Sequence, residues 1–176
     1  MTRGATTCLD FARHERKSLA QSRSYRAEDA VRSRDTLRIA GYAALFHTPD
    51  AARDTLLPGA FAATLAGRTD RLPLYWQHRP HQRIGWVEKA REDARGLRVI
   101  ARLDPGTRPA ELLAMGAVDG LSFGYRARDW RMTPAGRKLA EVELVEVSLV
   151  THPLQHGARV HFVEFPHASG ARNPRA

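Results

Sequence analysis

The sequence has little of several features that would assign it to a familiar class. It contains a single cysteine, Cys8, which excludes an internal disulfide and fits a reducing cytoplasm. No apolar run approaches the ~20 residues of a membrane-spanning helix, and the N-terminus lacks the apolar centre of a secretory signal. No P-loop or dinucleotide-binding glycine pattern occurs. These absences predict a soluble intracellular protein without a nucleotide site.

Positive charge, in contrast, is abundant. The chain carries 28 Lys and Arg against 19 Asp and Glu, which gives a net charge of +9. Such an excess favours an acidic protein surface or a nucleic acid as a partner. The basic residues are nearly all arginine and are spread over the whole chain, with no dense basic block. Specific nucleic-acid binding is therefore an alternative that no local patch supports.

The 176 residues and an apolar fraction of 43% predict one domain with loose ends. Residues 1–35 are polar and charged and have few apolar residues to anchor a fold, so they are predicted to be a flexible basic leader. Residues 36–160 are predicted to form the folded domain. Residues 161–176, which carry His and Arg, are predicted to be a flexible tail.

Strand-like segments outnumber helical ones within the predicted domain. Apolar and polar residues alternate from Leu37, and 139–150 is the most strand-like stretch of the chain. Helices are predicted from Pro58 through Ala66 and from Thr107, as N-cap, through Met115. Further strands are expected at 72–77, 84–90 and 96–103 and after Gly120, with a polar loop at 79–82. Short connections favour an α+β fold, mainly antiparallel β: a sheet or small β-barrel flanked by a few short helices.

The hexapeptide Gly120–Tyr125 holds the strongest candidate for a reactive side chain. Asp119-Gly120 is a turn signal, and aromatic residues that favour strands follow it. Ser122 lies between two glycines, so its hydroxyl is uncrowded, and Gly124 leaves room for a close approach. This is the local environment that a serine nucleophile needs. The alternative is a β-turn with an incidental serine.

A serine nucleophile needs two partners, and the sequence offers a candidate for each. His78 follows a predicted strand and could accept the proton of the hydroxyl. Glu146 lies on a strand otherwise rich in Val and Leu, and a carboxylate there could orient the histidine. The alternatives are a surface histidine and a solvated glutamate. Ser148 shares the strand face of Glu146 and is expected to take no part in the chemistry.

Other reactive groups are less convincing. The pair His78 and His81 resembles two metal ligands, but no Cys or carboxylate cluster accompanies it, and Pro80 argues against a helical pair. Cys8 lies in the predicted leader.

Five ordered segments resemble the prohead proteases of HK97-like tailed phages, serine proteases that mature procapsids. Together the five are highly specific, although none would be so alone. They run from about Leu37 to Pro153 in unbroken order: Gly41–Phe46, Leu57–Phe61, Pro73–His78 with Ile84–Gly85, Gly120–Tyr125, and Glu146–Pro153.

The resemblance implies a fold similar to the herpesvirus assembly proteases, in which helices surround a β-barrel. It implies proteolysis with Ser122 as nucleophile and His78 as base. The third member in those viral relatives is a second histidine on a late strand. Glu146 lies at the equivalent position in this chain, so the orienting role is expected to fall to it. No metal or cofactor is implied.

The expected oxyanion donors differ from those of the viral relatives. The relatives use an arginine-bearing segment after the late strand, whereas this chain has Thr151-His152-Pro153. Backbone N–H groups around Phe123 and in the loop 152–157 are expected to act instead.

The resemblance also implies partners and a location. The implied substrates are the scaffolding segment of the major capsid protein, any other internal scaffold, and the protease itself; the portal is a further candidate partner, and no membrane is involved. The implied location is the bacterial host cytoplasm, inside the assembling procapsid of a tailed phage or a gene transfer particle. The alternatives are a catalytically inactive scaffolding protein of the capsid interior and a basic nucleic-acid-binding module.

Overall fold

The computed structural model describes residues 36–165, so the predicted leader, residues 1–35, and residues 166–176 lie outside the described residues. The strands are β1 (Leu37–Leu45), β2 (Asp54–Leu56), β3 (Pro73–Trp76), β4 (Arg79–Glu92), β5 (Gly96–Leu103), β6 (Gly120–Thr133), β7 (Gly136–Val150) and β8 (Val160–Glu164). Two short helices, α1 (Ala62–Ala66) and α2 (Arg108–Ala114), lie between them. Neither helix of this part of the chain has the length and apolar character needed to cross a membrane.

All eight strands belong to one sheet in which β7 is the branching point. The order is β2-β7-β3-β4-β5-β1-β8, and β6 also pairs with β7. The pairs β2–β7 and β3–β7 are parallel, and the other pairs are antiparallel. An isolated bridge between Gly120 and Arg159 links β6 to the residues just before β8. The mainly antiparallel α+β prediction is confirmed, but the strands of residues 36–165 do not close into the expected barrel.

The core follows the strand alternation that the sequence predicts. On β5 the four residues Leu97, Val99, Ala101 and Leu103 are fully buried, while Arg98 and Arg102 between them are not. The second half of β7 is different, because both of its faces are buried from Glu146 to Val150. Side chains on that stretch therefore face protein on either side of the sheet, which limits the positions that they can adopt.

An aromatic cluster covers the start of β6. Phe61, the N-cap residue of α1, meets Phe123 edge to face at 5.4 Å between ring centroids, and Phe123 stacks on Tyr125 at 5.1 Å. Such pairs contribute roughly 0.5–1.5 kcal/mol each beyond their buried area. The cluster thereby fixes the backbone that directly follows Ser122.

Several predicted boundaries need correction. The tail was expected from residue 161, but β8 continues to Glu164 and pairs with β1. The polar loop expected at 79–82 belongs to β4, where it forms a bulge between the pairs Trp76–Arg79 and Tyr75–Arg83. Helix α1 begins at Ala62 rather than Pro58.

The N-terminus of helix α2 also differs in detail from the prediction. Thr107 is the N-cap residue as predicted, but its side chain caps no helix N–H. Its hydroxyl instead donates to the Asp104 carbonyl.

A buried carboxylate ties β2 to the β6–β7 hairpin. Asp54 is 4% exposed. It accepts hydrogen bonds from Arg137 Nε at 2.7 Å and from the Tyr125 hydroxyl at 2.5 Å. The hydrogen bond from Arg137 lowers the pKa of Asp54, and burial raises the pKa of Tyr125. Both shifts keep the network in one protonation state, with a charged carboxylate and a neutral phenol, at neutral pH.

Asp54→Asn should destabilise the fold at neutral pH by about 1–3 kcal/mol, because Arg137 and Tyr125 lose their charged acceptor. The lowered pKa makes this stabilisation complete above the unfolded carboxyl pKa of about 4, and it is lost as the pH falls through the folded value. Denaturant unfolding across pH 2–7, roughly the range in which the carboxyl titrates, should show the two proteins converge at the acid end.

Glu143→Gln is the matched control, because the ion pairs of Glu143 with Arg126 and Arg128 are exposed. It should change stability much less. A difference between wild type and Asp54→Asn that stayed constant with pH would contradict the assigned role of the carboxylate.

Candidate active site

The turn between β3 and β4 carries the candidate base. Only Gln77 and His78 separate the paired residues Trp76 and Arg79. Both have positive φ, 53° and 56°, as a two-residue type I′ hairpin requires. The N–H of Gln77 donates to the Leu149 carbonyl on β7 at 3.0 Å. The turn is therefore fastened to β7, and His78 faces the surface where β7 meets β6.

The candidate nucleophile lies at the third position of β6. Ser122 stands directly opposite Ser148 of β7 in the antiparallel ladder. The predicted small-residue corner is present: a Cβ on Gly120 would lie 2.4 Å from the Val150 carbonyl oxygen and 2.9 Å from Pro153 Cδ. The absence of a side chain at Gly120 thus allows the residues after β7 to fold close to the start of β6.

The three predicted site residues come together in one hydrogen-bonded chain. His78 Nε2 lies 3.0 Å from Ser122 Oγ, and His78 Nδ1 lies 2.6 Å from Glu146 Oε1. Ser122 and Glu146 are each 6% exposed, whereas the His78 side chain is 41% exposed. The three side chains are thus within hydrogen-bond reach of one another in series, and the site opens to solvent on the histidine side.

Gly124 provides the space for the acid. A Cβ at this position would lie 2.6 Å from Glu146 Oε1 and 3.0 Å from Glu146 Cγ. The sequence predicts that a backbone or a substrate chain approaches Gly124 closely; the group found there is instead the side chain of Glu146, whose carboxylate contacts His78. Any larger residue at 124 would compete with Glu146 for that space.

Ser148, which is expected to take no part in the chemistry, makes direct hydrogen bonds to two groups of the site. Its hydroxyl donates to Glu146 Oε2 at 2.7 Å and accepts the backbone N–H of His78 at 3.1 Å. The signal in the sequence was the Glu-x-Ser spacing, which puts two polar side chains on one face of a buried strand. That pattern could have indicated a hydrogen-bonded pair.

The rejected candidates gain no support from the geometry. Within residues 36–165 no group of three or more His, Cys, Asp or Glu is arranged to hold a metal ion. His81 is exposed in the bulge of β4. Cys8 lies outside the described residues.

Comparison with known sequences gives one family. The sequence model of the caudovirus prohead serine proteases matches residues 23–172. The prohead protease of Enterobacteria phage HK97 is 33% identical over 128 residues, which cover 68% of this chain and 57% of that protein. A capsid polyprotein of Pseudomonas phage PAJU2 is 26% identical over 155 residues, which cover 81% of this chain and 22% of that protein. The chain thus spans little more than half of the first relative and under a quarter of the second.

Two solved structures share the fold at low sequence identity. The bacteriophage T4 capsid assembly protease superposes with a TM-score of 0.51 at 15% identity, over 64% of this chain and 80% of that one. The varicella-zoster virus protease gives 0.50 at 16% identity, over 74% of this chain and 64% of that one. The fold agrees with the family that the sequence indicates. The chain belongs to the caudovirus prohead serine proteases.

Proposed function

We propose that this chain is a serine endopeptidase of the Ser-His-Glu type that acts in procapsid maturation. The observation that carries the proposal is the hydrogen-bonded chain from Ser122 through His78 to Glu146. In it a hydroxyl meets an imidazole, and the far side of the imidazole meets a buried carboxylate. This is the arrangement by which a serine is activated at neutral pH.

The chemistry would proceed as acyl transfer in two steps. Ser122 Oγ attacks the carbonyl carbon of the scissile peptide while its proton moves to His78 Nε2. The C–N bond then breaks, and the proton moves from Nε2 to the departing amine, which leaves an ester on Ser122. Water, deprotonated by the same nitrogen, hydrolyses the ester. Throughout, Nδ1–H donates to Glu146 Oε1, which keeps Nε2 free to accept the proton.

The oxyanion would be held by backbone N–H groups. Leu121 donates its N–H to the Ala158 carbonyl, on the side of β6 away from β7. N–H groups two residues apart on a strand point the same way, so the N–H of Phe123 also points away from β7, one residue beyond the nucleophile. A second donor is expected from the loop 152–157, whose Pro153 packs against Gly120.

The proposed substrates are the scaffolding segment of the major capsid protein and the protease itself, with the portal as a further candidate partner. A capsid polyprotein that contains a region similar to this chain supports a capsid protein as substrate. The reaction would take place inside the assembling procapsid of a tailed phage or a gene transfer particle, in the cytoplasm of the bacterial host.

The two alternatives have less support. An inactive scaffolding protein would have no need to retain the contacts around Glu146. A nucleic-acid-binding module would need free cationic side chains on one face. In the described part of the chain, eight arginines pair with carboxylates instead. Much of the positive charge is therefore neutralised locally.

Ser122→Ala and His78→Ala should each lower turnover by roughly 10⁴- to 10⁶-fold, and the double variant should be little worse, because the two residues act as a unit. Glu146→Gln should cost less, since the imidazole can still accept the proton. The measurement is the intact mass of the major capsid protein after co-expression with each variant, followed over time.

Folding should be unaffected in Ser122→Ala, because the volume change is small. Equal thermal unfolding of this variant and the wild type therefore separates loss of chemistry from loss of structure. Cleavage that persisted in Ser122→Ala would refute the proposed nucleophile.

Gly124→Ala should displace the Glu146 carboxylate from His78 and slow cleavage by roughly 10- to 100-fold, as misplacement of a reacting group by about 1 Å does. Gly67→Ala is the matched control: a Cβ there meets only the Ala63 carbonyl, at 3.4 Å, and φ is −85°. The same co-expression assay should show that Gly67→Ala is as active as wild type. Full activity of Gly124→Ala would contradict the idea that cleavage depends on a fixed position of the Glu146 carboxylate beside His78.

Self-cleavage should remove peptide from the chain outside residues 36–165, because a cut within the sheet would need the backbone to leave its hydrogen-bonded ladders. Mass spectrometry of the purified wild type beside Ser122→Ala tests this. Termini that are the same in both samples would remove the self-processing proposal and leave proteolysis of other chains untouched.

A further inference from the structure

The hydroxyl of Ser148 has both of its hydrogen-bonding roles filled by the site. It accepts the backbone N–H of His78 and donates to Glu146 Oε2. A hydroxyl has a single proton, so the proton given to the carboxylate cannot go elsewhere. The side chain is fully buried, at 0% exposure. One atom thus joins the backbone of the candidate base to the side chain of the candidate acid.

The base needs such a contact because its backbone conformation is unfavourable. Gln77 and His78 both have positive φ and are not glycine. Each residue of this kind costs on the order of 1 kcal/mol or more, so the turn persists only where neighbouring groups hold it. The N–H of Gln77 is held by the Leu149 carbonyl. The N–H of His78 is held by Ser148.

The acid needs the contact for a different reason. Glu146 is buried, and a buried carboxylate needs donors for its oxygens. His78 Nδ1 serves Oε1 and Ser148 serves Oε2. Among the described residues no other side chain bonds to Oε2. Without the hydroxyl, Oε2 would have no side-chain donor, and rotation about the terminal carboxylate bond, which is intrinsically broad, would be less restricted.

We propose that Ser148 is a positioning residue for acyl transfer at Ser122, and this proposal rests on the proposed function. Ser148 holds the imidazole and the carboxylate in the relative position that proton transfer requires. Its hydroxyl bonds to the backbone N–H of His78 and to Glu146 and not to the Ser122 hydroxyl or the His78 ring. Its loss should therefore lower kcat and leave KM nearly unchanged, because alignment of the reacting groups is affected while substrate contacts are not.

The test uses purified full-length chain and a peptide that spans the cleavage site found by intact mass. Ser148→Ala should lower kcat by roughly 10- to 100-fold, as loss of a hydrogen bond to a buried charged group predicts. KM should change by less than about threefold. Thr64→Val is the matched control: it removes the hydroxyl that accepts the Leu144 N–H on the same strand, without contact to His78 or Glu146. It should keep the wild-type kcat.

Two further measurements separate positioning from simple support of the fold. The proton on His78 Nδ1, assigned by its absence in His78→Ala, should shift or exchange faster in Ser148→Ala and stay unchanged in Thr64→Val. In a Glu146→Gln background, Ser148→Ala should cost less by a factor of at least about three than in wild type, because contacting residues that act together are not additive.

Each possible outcome either supports or overturns one of the two proposals. A kcat for Ser148→Ala within about threefold of wild type, with Ser122→Ala inactive, would overturn the positioning role and leave the proposed function standing. Additive effects with Glu146→Gln would also overturn it, as would a Ser148→Ala chain that does not fold. Cleavage by Ser122→Ala would instead overturn the proposed function itself, and the Nδ1 proton resonance would still report whether Ser148 aligns His78.

Discussion

The registers of β6 and β3 against β7 are the constraint on which the site depends. Ser122 lies opposite Ser148 in the antiparallel pair, and Tyr75 lies beside Ser148 in the parallel pair. The positions of the nucleophile and of the turn that carries the base are therefore both set by pairing with Ser148 of β7. A slip of either register by one residue would reverse the direction of its side chains. Three strands pair with β7, and its second half is buried on both faces, so each register is specified by packing as well as by hydrogen bonds.

Within residues 36–165 two carboxylates are buried, and their hydrogen-bond partners differ. Asp54 is bound by the guanidinium of Arg137, so its charge is neutralised by a permanent cation. Glu146 is bound by an imidazole and a hydroxyl. A carboxylate without a permanent cation beside it keeps its attraction for a positive charge that develops nearby. In the proposed reaction that charge arises on His78 when it accepts the proton. Asp54 thus suits a structural role and Glu146 a chemical one.

Much of the site could be predicted from the sequence. Alternation along 139–150 indicated that Glu146 lies on a face shared with buried apolar residues, and the glycines around Ser122 indicated a hydroxyl at the start of a strand. The ordered segments of the family resemblance assigned His78 to the same site as Ser122 and Glu146. These features are local or depend only on order along the chain, so they can be inferred without coordinates.

The parts that could not be predicted depend on contacts between distant segments. β8 has no fully buried residue: Phe162 is 60% exposed, and Val160 and Val163 are only partly buried against the core. Its position depends on backbone pairing with β1, which is distant in sequence. Its apolar pattern is therefore too weak to indicate it. The hydrogen bonds of Ser148 were missed for a similar reason, because strand periodicity gives the face of a side chain and not the direction of its hydroxyl proton.

The turn that carries His78 has a strained backbone, and hydrogen bonds to residues distant in sequence offset that strain. A type I′ turn is most favourable with Asn-Gly, because both residues need positive φ. Such a sequence would relax the backbone at 77–78 and remove the imidazole. The chain keeps Gln-His, and the strain is offset by bonds from the turn to Ser148, Leu149 and Thr151 of the segment that contains the end of β7. Those bonds also define where the imidazole lies. The groups that stabilise the unfavourable turn thus also align the imidazole of His78. A turn without backbone strain would not need these groups, and the imidazole would lose its alignment.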